Sequence, residues 1–358
     1  MRNNSVLVLY LGSKGAGPGF CYSLARELEN SSLLEGIVCA KNQELMSEYV
    51  EKFKDKVIAV ESANTLSQVS NFFRLFRCIR VIFGMVKKNR LRNVLCPMTH
   101  PWVLIALPLL KVVGCNISFV IHDAIPHAGD SKVFNLIQRF VLYCSAKSLI
   151  FVSETQKKYM EKSVLLRRKE HYIIKHPSFF HYFDYKSYFF QNSKPEFDFV
   201  FFGRIEPYKG LNLLISAFKR LLSVHPDATL LLCGSGKVES LDFEAIPGVS
   251  VDLRYIPDSE VPSIICKAKV VALPYLGGTQ SGVMTIANDF NRLCVSTPVE
   301  GLVEQGEYTG VNIFSENFSA ESFAIAMASA LNFTGEVKNN RIHSGVAKYF
   351  NNKYQDNT

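Results

Sequence analysis

A loop in the second half of the sequence combines residue types that bind phosphate. The stretch Gly203–Gly210 reads GRIEPYKG, follows an apolar strand-like run and precedes a helical pattern over Leu211–Val224. Gly203 lets a ligand approach the backbone closely, Arg204 offers a fork of donors, and Lys209 supplies a point charge. The helix amino terminus adds a partial positive charge. We interpret this stretch as a diphosphate-binding loop, whereas two such cations in isolation would indicate an ordinary solvated turn.

A second glycine-rich loop, Pro274–Val283, reads PYLGGTQSGV and again separates a buried run from a helical pattern. Its backbone amides and the hydroxyls of Thr279 and Ser281 can cradle a phosphate, with Gln280 and Gly282 in the same loop. It lacks Gly-Lys-Ser/Thr and is therefore not a P-loop. From this loop alone, two interpretations are equally supported: the loop binds phosphate, or its glycines are there only to allow the chain to turn.

Carboxylate and imidazole groups follow two further strand-like runs. Glu304, in the segment VEGLVE, could accept hydrogen bonds from ribose or sugar hydroxyls, although an acidic surface loop is the simpler interpretation of that segment. His122 and Asp123 follow the run Ile117–Ile121, at the strand end where site residues belong. His122 could bond a sugar hydroxyl or a phosphate, and Asp123 could orient it or bind an acceptor. A purely structural histidine is the alternative.

The loop after the first apolar run is also small and glycine-rich. It reads GSKGAGPG over Gly12–Gly19, which does not give Gly-x-Gly-x-x-Gly, and Pro18 removes an amide donor. We therefore do not interpret it as a dinucleotide fingerprint. Gly15 and Gly17 are predicted to keep the loop small for an acceptor or a donor phosphate.

Short apolar runs alternate with longer amphipathic stretches along the chain, which predicts parallel sheets covered by helices on both faces. The strand-like runs include Ser5–Leu11, Val57–Val60, Val94–Pro97, Ile117–Ile121, Ser148–Val152, Phe197–Phe202, Ala228–Cys233, Val249–Tyr255, Val270–Leu273 and Leu293–Ser296.

The alternation restarts at Phe197 after the aromatic and polar segment His176–Pro195, which lacks either period. We therefore predict two Rossmann-like domains, with an acceptor-side domain over residues 1–185 and a nucleotide-binding domain over residues 186–335. Residues 336–358 are predicted to form a helical tail that packs back on the first domain. The site is expected in the cleft between the two domains.

The amino-acid composition, the cysteines and the net charge indicate what class of protein this chain belongs to. The 358 residues are 48% hydrophobic and 20% charged, which is typical of a globular chain. Nine cysteines are scattered without a CxxC pair or zinc spacing, so reduced core thiols are expected, with no metal and no disulfide framework. The net charge of +8 suits an anionic partner. The amino-terminal apolar run is too short for a signal peptide, so a cytoplasmic location is expected.

The motifs in order resemble the donor domain of the family 4 glycosyltransferases. They are GRIEPYKG, LLLCGSGK, Tyr255-Ile256-Pro257 with Glu260, LPYLGGTQSGV and EGLVE. The resemblance extends from Phe197 to about Leu331 and is thinner in the first half. It implies the two-domain GT-B fold, a nucleotide-diphosphate-sugar donor, retention of anomeric configuration and no requirement for a metal or cofactor.

The resemblance also implies roles for individual residues. Arg204 and Lys209 would hold the donor diphosphate and stabilise the leaving group, while His122 would contact the transferred sugar. Ser281 and Gly282 would bind the distal phosphate or the sugar through the backbone. Residues at two neighbouring positions, Tyr255 and Ile256, would flank the base.

One departure from the family pattern concerns the second loop. Many members carry Glu-x7-Glu there, whereas Gly278 and Ile286 occupy those positions in this chain. The resemblance is therefore to the branch with Gln-Ser-Gly at this place, and Glu304 is the candidate for the ribose contact.

A basic, aromatic segment over Asn71–Leu95 suggests a membrane surface. On a helix, Phe72, Phe76, Ile79 and Phe83 form one apolar stripe. The segment also carries a high density of cations at Arg74, Arg77, Arg80, Lys87, Lys88, Arg90 and Arg92. An interfacial helix on an anionic inner membrane and a core-facing helix with a solvated basic face both fit this pattern.

The first interpretation points to a peripheral protein on the cytoplasmic face of the inner membrane. Its acceptor would be a glycan or a polyprenyl-diphosphate-linked sugar, in surface polysaccharide synthesis. A non-catalytic GT-B protein that binds a sugar nucleotide and a nucleotide-sugar epimerase are the alternatives. Nucleic acid is not expected as a partner, because no nucleic-acid-binding motif is present.

Overall fold

The computed structural model describes residues 4–62, 69–122, 132–179, 194–236, 243, 245–310, 312–337 and 342–354. Met1–Pro177 and His343–Thr358 together make up the first of two compact units, and Ser178–Ile342 makes up the second. Among the helices in these ranges, none has both the length and the apolar composition of a membrane span.

The first unit is built on a sheet of seven parallel strands in the order β3-β2-β1-β4-β5-β6-β7. Its strands are β1 Val6–Tyr10, β2 Leu34–Ala40, β3 Val57–Val60, β4 Asn93–Cys96, β5 Asn116–Ile121, β6 Ser148–Phe151 and β7 Glu170–Ile173. Its α-helices are Ala16–Asn30, Met46–Phe53, Val69–Lys88, Pro101–Val112, Lys132–Ser145, Glu154–Glu161 and Val346–Tyr354. The central strand β1 is buried at all five residues because helices cover both of its faces.

The second unit is built on a sheet of six parallel strands in the order β10-β9-β8-β11-β12-β13. Its strands are β8 Phe197–Phe202, β9 Leu230–Cys233, β10 Val249–Asp252, β11 Ala268–Leu273, β12 Leu293–Ser296 and β13 Asn312–Phe314. Its α-helices are Leu211–Leu221, Val261–Cys266, Gly282–Asp289, Glu300–Gly306 and Ala320–Leu331. Together the two sheets confirm the predicted α/β class with two parallel-sheet domains.

Both sheets reverse their winding direction at one place. In the second unit the chain winds from β8 to β10, then returns to β11 beside β8 and winds outward to β13. Ligands of such sheets bind outside the carboxyl ends of the strands at this reversal. In the second unit these are the ends of β8 and β11, and in the first unit the ends of β1 and β4.

The helix within the basic segment is shorter than the segment, and its core side lies mainly outside the stripe named from the sequence. It ends at Lys88, and β4 begins at Asn93. Its buried side carries Leu75, Cys78, Ile82 and Val86. The stripe named from the sequence is therefore not the core side of this helix: Phe72 and Phe76 are exposed, while Ile79 and Phe83 pack partly against the core.

Residues from 343 onward belong to the first unit although they follow the second in sequence. The carboxylate of Glu27 accepts hydrogen bonds from the Ser344 hydroxyl at 2.9 Å and from the Gly345 amide at 3.1 Å. Further along, the hydroxyls of Ser118 and Tyr349 are 2.8 Å apart. Near the end of the helix, Lys353 Nζ donates to the carboxylate of Glu170, so the helix Val346–Tyr354 is tied to the first unit along its whole length.

The cysteines contribute to the cores as small apolar side chains. All nine carry free thiols, and eight of them are buried, with Cys144 exposed. Burial raises the pKa of the Cys78 and Cys294 thiols to about 12, so both remain protonated at neutral pH.

Candidate functional site in the second unit

The loops after β8 and β11 touch each other through their backbones. Gly210 has the left-handed conformation, with φ 68° and ψ 31°, and a Cβ there would overlap the carbonyl oxygen of Pro274. The amide of Leu276 donates to the carbonyl of Tyr208 at 2.7 Å. Only glycine fits this approach, so the two predicted phosphate-binding loops form one structure.

Lys209 lies over the rings of two tyrosines. Its Nζ is 3.7 Å from the centroid of the Tyr275 ring and 5.2 Å from that of Tyr208. Tyr275 is buried, and burial raises the pKa of its phenol, so the ring remains neutral. Because an ammonium group is attracted to the face of an aromatic ring, the two tyrosines hold the Lys209 charge in place.

The helix Gly282–Asp289 begins beside these loops. Its N-cap is Ser281, whose hydroxyl accepts from the Met284 amide at 3.3 Å and lies 3.1 Å from the Tyr275 hydroxyl. A Cβ built on Gly203 would lie 4.0 Å from Val283 Cγ2, so the end of β8 adjoins the first turn of this helix.

Gln305 fixes the backbone at Ser281. The Ser281 amide donates to Gln305 Oε1 at 2.7 Å, and Gln305 Nε2 donates to the Ser281 carbonyl and to Thr285 Oγ1, each at 2.9 Å. The polar groups of Ser281 are therefore bonded within the protein. First-turn amides have no intrahelical acceptor, which leaves those of Gly282 and Val283 oriented for an anion.

The helix Glu300–Gly306 supports the second loop from the other side. Gly301 packs so closely that a Cβ would overlap the Thr279 carbonyl, and Thr279 is itself buried. Glu304 is partly exposed on this helix. Gln280 Oε1 is buried, and no hydrogen-bond partner for it is found among the described residues.

The remaining predicted residues of the second unit differ in exposure. Arg204 is exposed and makes no ion pair within the described ranges. After β10, Tyr255 is 48% exposed, whereas Ile256 is buried. The structure therefore brings Gly203, Lys209, Ser281 and Gly282 together, and Tyr255 lies on a different loop.

In the first unit, His122 lies just beyond the carboxyl end of β5. Its Nε2 is 2.9 Å from the carbonyl oxygen of Pro97, and its ring centroid is 4.3 Å from that of Phe20. Gly15 has φ 74° in open space, whereas a Cβ on Gly17 would overlap the Tyr10 hydroxyl. Asp123 lies outside the described residues.

Two residues that the motifs did not point to support the site: Tyr275 links the two loops through Lys209, and Gln305 holds Ser281. Tyr275 follows a buried strand and precedes the glycines, so its position next to Lys209 could have been suspected. Gln305 gives a weaker signal: it follows Gly301 by four residues and Leu302 by three, which places it on the buried side of its helix. For metals, no group of three or more His, Cys, Asp or Glu ligands is found in the described part of the chain.

Part of the chain matches a family of known proteins. Residues 196–332 match the family described as Glycosyl transferases group 1. YtcC of Bacillus subtilis, whose glycosyltransferase name is itself provisional, is 29% identical over 169 residues, which is 42% of this chain and 40% of YtcC. A phosphatidyl-myo-inositol mannosyltransferase of Mycolicibacterium smegmatis is 31% identical over 90 residues, 24% of this chain and 23% of that protein.

The chain thus spans less than half the length of these curated relatives. Among solved structures, HepE of Anabaena in complex with UDP and glucose aligns with a TM-score of 0.65 at 12% identity, covering 97% of this chain and 95% of HepE. The chain therefore has the GT-B fold of glycosyltransferases, and its residues 196–332 carry the sequence pattern of the Glycosyl transferases group 1.

Proposed function

We propose that this protein is a retaining, family 4 type glycosyltransferase whose second unit binds the diphosphate of a nucleotide-sugar. One observation supports this most directly: three groups lie next to each other at the carboxyl ends of β8 and β11. They are Lys209, Gly203 and the first turn of the helix Gly282–Asp289. A lysine charge held over two aromatic rings and a helix amino terminus together form an anion site.

The transfer step requires such a site. The bond between the anomeric carbon and the donor phosphate oxygen breaks, and negative charge develops on the leaving nucleoside diphosphate. Lys209, Arg204 and the amides of Gly282 and Val283 stabilise that charge. A new bond forms from an acceptor hydroxyl oxygen to the anomeric carbon, and the hydroxyl proton is released.

Hydroxyl groups of the donor require further partners. Gln280 Oε1 is buried without a described partner, and a donor hydroxyl would satisfy it. Glu304 is proposed for the ribose, and Tyr255 with Ile256 for the base. The HepE structure contains UDP and glucose, which supports a nucleotide-sugar as the class of donor.

The acceptor side is proposed for the first unit, with Gly15, Gly17, His122 and Asp123. We propose a glycan or a polyprenyl-diphosphate-linked sugar as the acceptor, in the synthesis of a surface polysaccharide. The name of the mycobacterial relative describes transfer of mannose to a phosphatidyl-inositol, which supports a lipid-linked acceptor.

A thermal-shift screen of nucleoside diphosphates and nucleotide-sugars tests the donor assignment. A ligand that binds the folded state at 100 times its Kd raises the Tm by about 5 °C or more. The same ligand should not shift Lys209→Ala, whereas Lys219→Ala, an exposed lysine on the helix Leu211–Leu221, should respond like the wild type. If none of the common nucleoside diphosphates or their sugars shifts the wild-type Tm, the proposal is wrong.

A further inference from the structure

Three helices cover one face of the first unit's sheet and leave a continuous outer surface. They are Val69–Lys88, Pro101–Val112 and Lys132–Ser145, and the middle helix contacts both others. Their inner sides contribute to one core, for example through Ile82 and Leu107. We call the solvent side of these three helices the outer helix face.

The outer helix face exposes an unusual amount of apolar side chain. Phe140 is 59% exposed, Leu136 65% and Phe72 64%. The exposed large apolar side chains on the three helices are Phe72, Phe73, Phe76, Ile105, Leu109, Val112, Val133, Leu136, Ile137, Phe140 and Tyr143. Exposed apolar side chains that are scattered singly are normal, whereas eleven on three neighbouring helices indicate contact with a partner or a membrane.

The positive charge of the protein is concentrated on the same helices. The three sequences contain eight Lys or Arg residues and no Asp or Glu. Because the net charge of the whole chain is +8, the rest of the chain contains as many acidic as basic residues. Charge and apolar exposure therefore coincide on a single face, a coincidence that core packing does not require.

We propose that the outer helix face docks on an anionic lipid bilayer. Its phenylalanines and aliphatic side chains enter the boundary between headgroups and acyl chains, and its cations contact lipid phosphates. Because two copies of this face would both be positively charged, like-charge repulsion opposes self-association. Exposed Val, Leu and Ile suit hydrocarbon better than nucleic-acid bases, which stack on aromatic rings.

This inference goes beyond the sequence pattern of the helix Val69–Lys88. Eight of the eleven exposed apolar side chains lie on the other two helices, five of them on Lys132–Ser145, where Val133, Leu136, Ile137 and Phe140 follow helical spacing. Cations dominate the helix Val69–Lys88. Docking is a property of the surface and does not depend on the transfer reaction.

Flotation with vesicles tests the proposal. The wild type is expected to float with vesicles of 70% phosphatidylcholine and 30% phosphatidylglycerol, and weakly with phosphatidylcholine alone. A triple variant, Arg77→Gln, Arg80→Gln and Lys87→Gln, should lower the partition coefficient by about 100-fold. Leu136→Ser with Phe140→Ser should lower it by about tenfold or more. All five side chains are outside the core, so the variants should keep the wild-type circular dichroism.

Matched controls come from the second unit. Lys219→Gln with Arg220→Gln removes two exposed cations, and Ile325→Ser removes an apolar side chain that is 63% exposed. Both should bind vesicles like the wild type. Equal loss in the controls, no flotation of the wild type, or equal binding to uncharged vesicles would overturn the proposal. So would sedimentation velocity showing a dimer that Phe140→Ser dissociates, because the face would then be a self-interface.

Discussion

The glycine-rich loops of the two units differ in what surrounds them. In the second unit, Gly210 abuts the carbonyl of Pro274, and Gly234 and Gly236 abut the backbones of Gly203 and Ile205. In the first unit, the nearest atoms to Gly17 belong to the side chains of Tyr10 and Met98, and no atom lies within 4 Å of a Cβ on Gly15.

A backbone neighbour cannot move aside, whereas the end of a side chain can change rotamer. The loops of the second unit therefore hold each other in one arrangement, as a preorganised anion site needs. Those of the first unit have room to adapt. The first unit also carries the excess positive charge and two buried histidines, so the two units should respond differently to substitution and to pH.

The largest expected effect tests the second unit as the site of charge stabilisation. Lys209→Ala should lower turnover by about 100- to 1,000-fold, because the leaving diphosphate loses a positioned cation. The turnover is measured as the rate at which nucleoside diphosphate is released, and circular dichroism checks that the variant is folded. Lys219→Ala should keep wild-type turnover. Wild-type turnover in Lys209→Ala would show that the diphosphate binds elsewhere.

The next effect tests the backbone contact between the two loops. Gly210→Ala should destabilise the second unit by about 3 kcal/mol, because a Cβ meets the Pro274 carbonyl and the left-handed conformation is itself costly. Gly114→Ala, at φ 87° with no atom within 4 Å, should cost about 1 kcal/mol.

Urea unfolding followed by two signals separates these variants. The sole tryptophan, Trp102, reports on the first unit through its fluorescence, whereas circular dichroism follows both units. Gly210→Ala should lower the circular-dichroism midpoint and leave the fluorescence midpoint unchanged. If Gly210→Ala and Gly114→Ala lowered the free energy of unfolding equally, the backbone contact at Gly210 would add nothing to the cost of the substitution.

The third effect concerns the buried histidines of the first unit. Burial lowers the pKa of His100 to about 4 and that of His176 to about 3, from an ordinary value of 6.5. Below pH 6.5 the unfolded chain therefore binds more protons than the folded one, and stability falls as the pH falls. At pH 5 each histidine should cost about 2 kcal/mol relative to neutral pH.

Trp102 fluorescence during urea unfolding at pH 7.5 and pH 5 measures this loss. His100→Asn keeps an acceptor at the N-cap of Pro101–Val112, where His100 Nδ1 accepts from the Trp102 amide at 3.2 Å. It should reduce the loss between the two pH values by about 2 kcal/mol. An unchanged loss would mean that His100 is not the titrating group.

The smallest effect concerns the ring beneath Lys209. Tyr275→Leu should weaken nucleoside diphosphate binding by about fivefold to tenfold, whereas Tyr275→Phe, which keeps the ring, should change it by less than about threefold. Calorimetric titration measures both. In a Lys209→Ala background the leucine substitution should have no further effect on affinity. Additive losses would show that Tyr275 acts on packing alone.

Ten of the thirteen strands in the described ranges coincide with apolar runs named from the sequence, including the edge strands β3 and β10, whereas the buried strand β2 and the edge strands β7 and β13 were not named. β8 and β11 are apolar runs that end at a glycine-rich loop, so their positions could be read directly. β7 and β13 lie at sheet edges, have four and three residues, and contain no buried residue. Short, half-exposed strands have no apolar period that distinguishes them from loops.

The contacts that build the site required the structure. Lys209 could be predicted as a phosphate ligand from its type, but its place over Tyr275 depends on how two loops 66 residues apart meet. Gln305 binds Ser281 across 24 residues. For the helix Val69–Lys88, Leu75 and Phe76 belong to different faces, and the sequence does not show which face the sheet covers.

The position of residues 343–354 in the first unit has a consequence for the order of folding during synthesis. All of Ser178–Ile342 leaves the ribosome before the helix Val346–Tyr354 does, and that helix supplies Tyr349 and Phe350 to the first unit's buried interior. The second unit is continuous in sequence, so its sheet can form before the last helix of the first unit has been synthesised. The part of the chain made first is thus the part finished last.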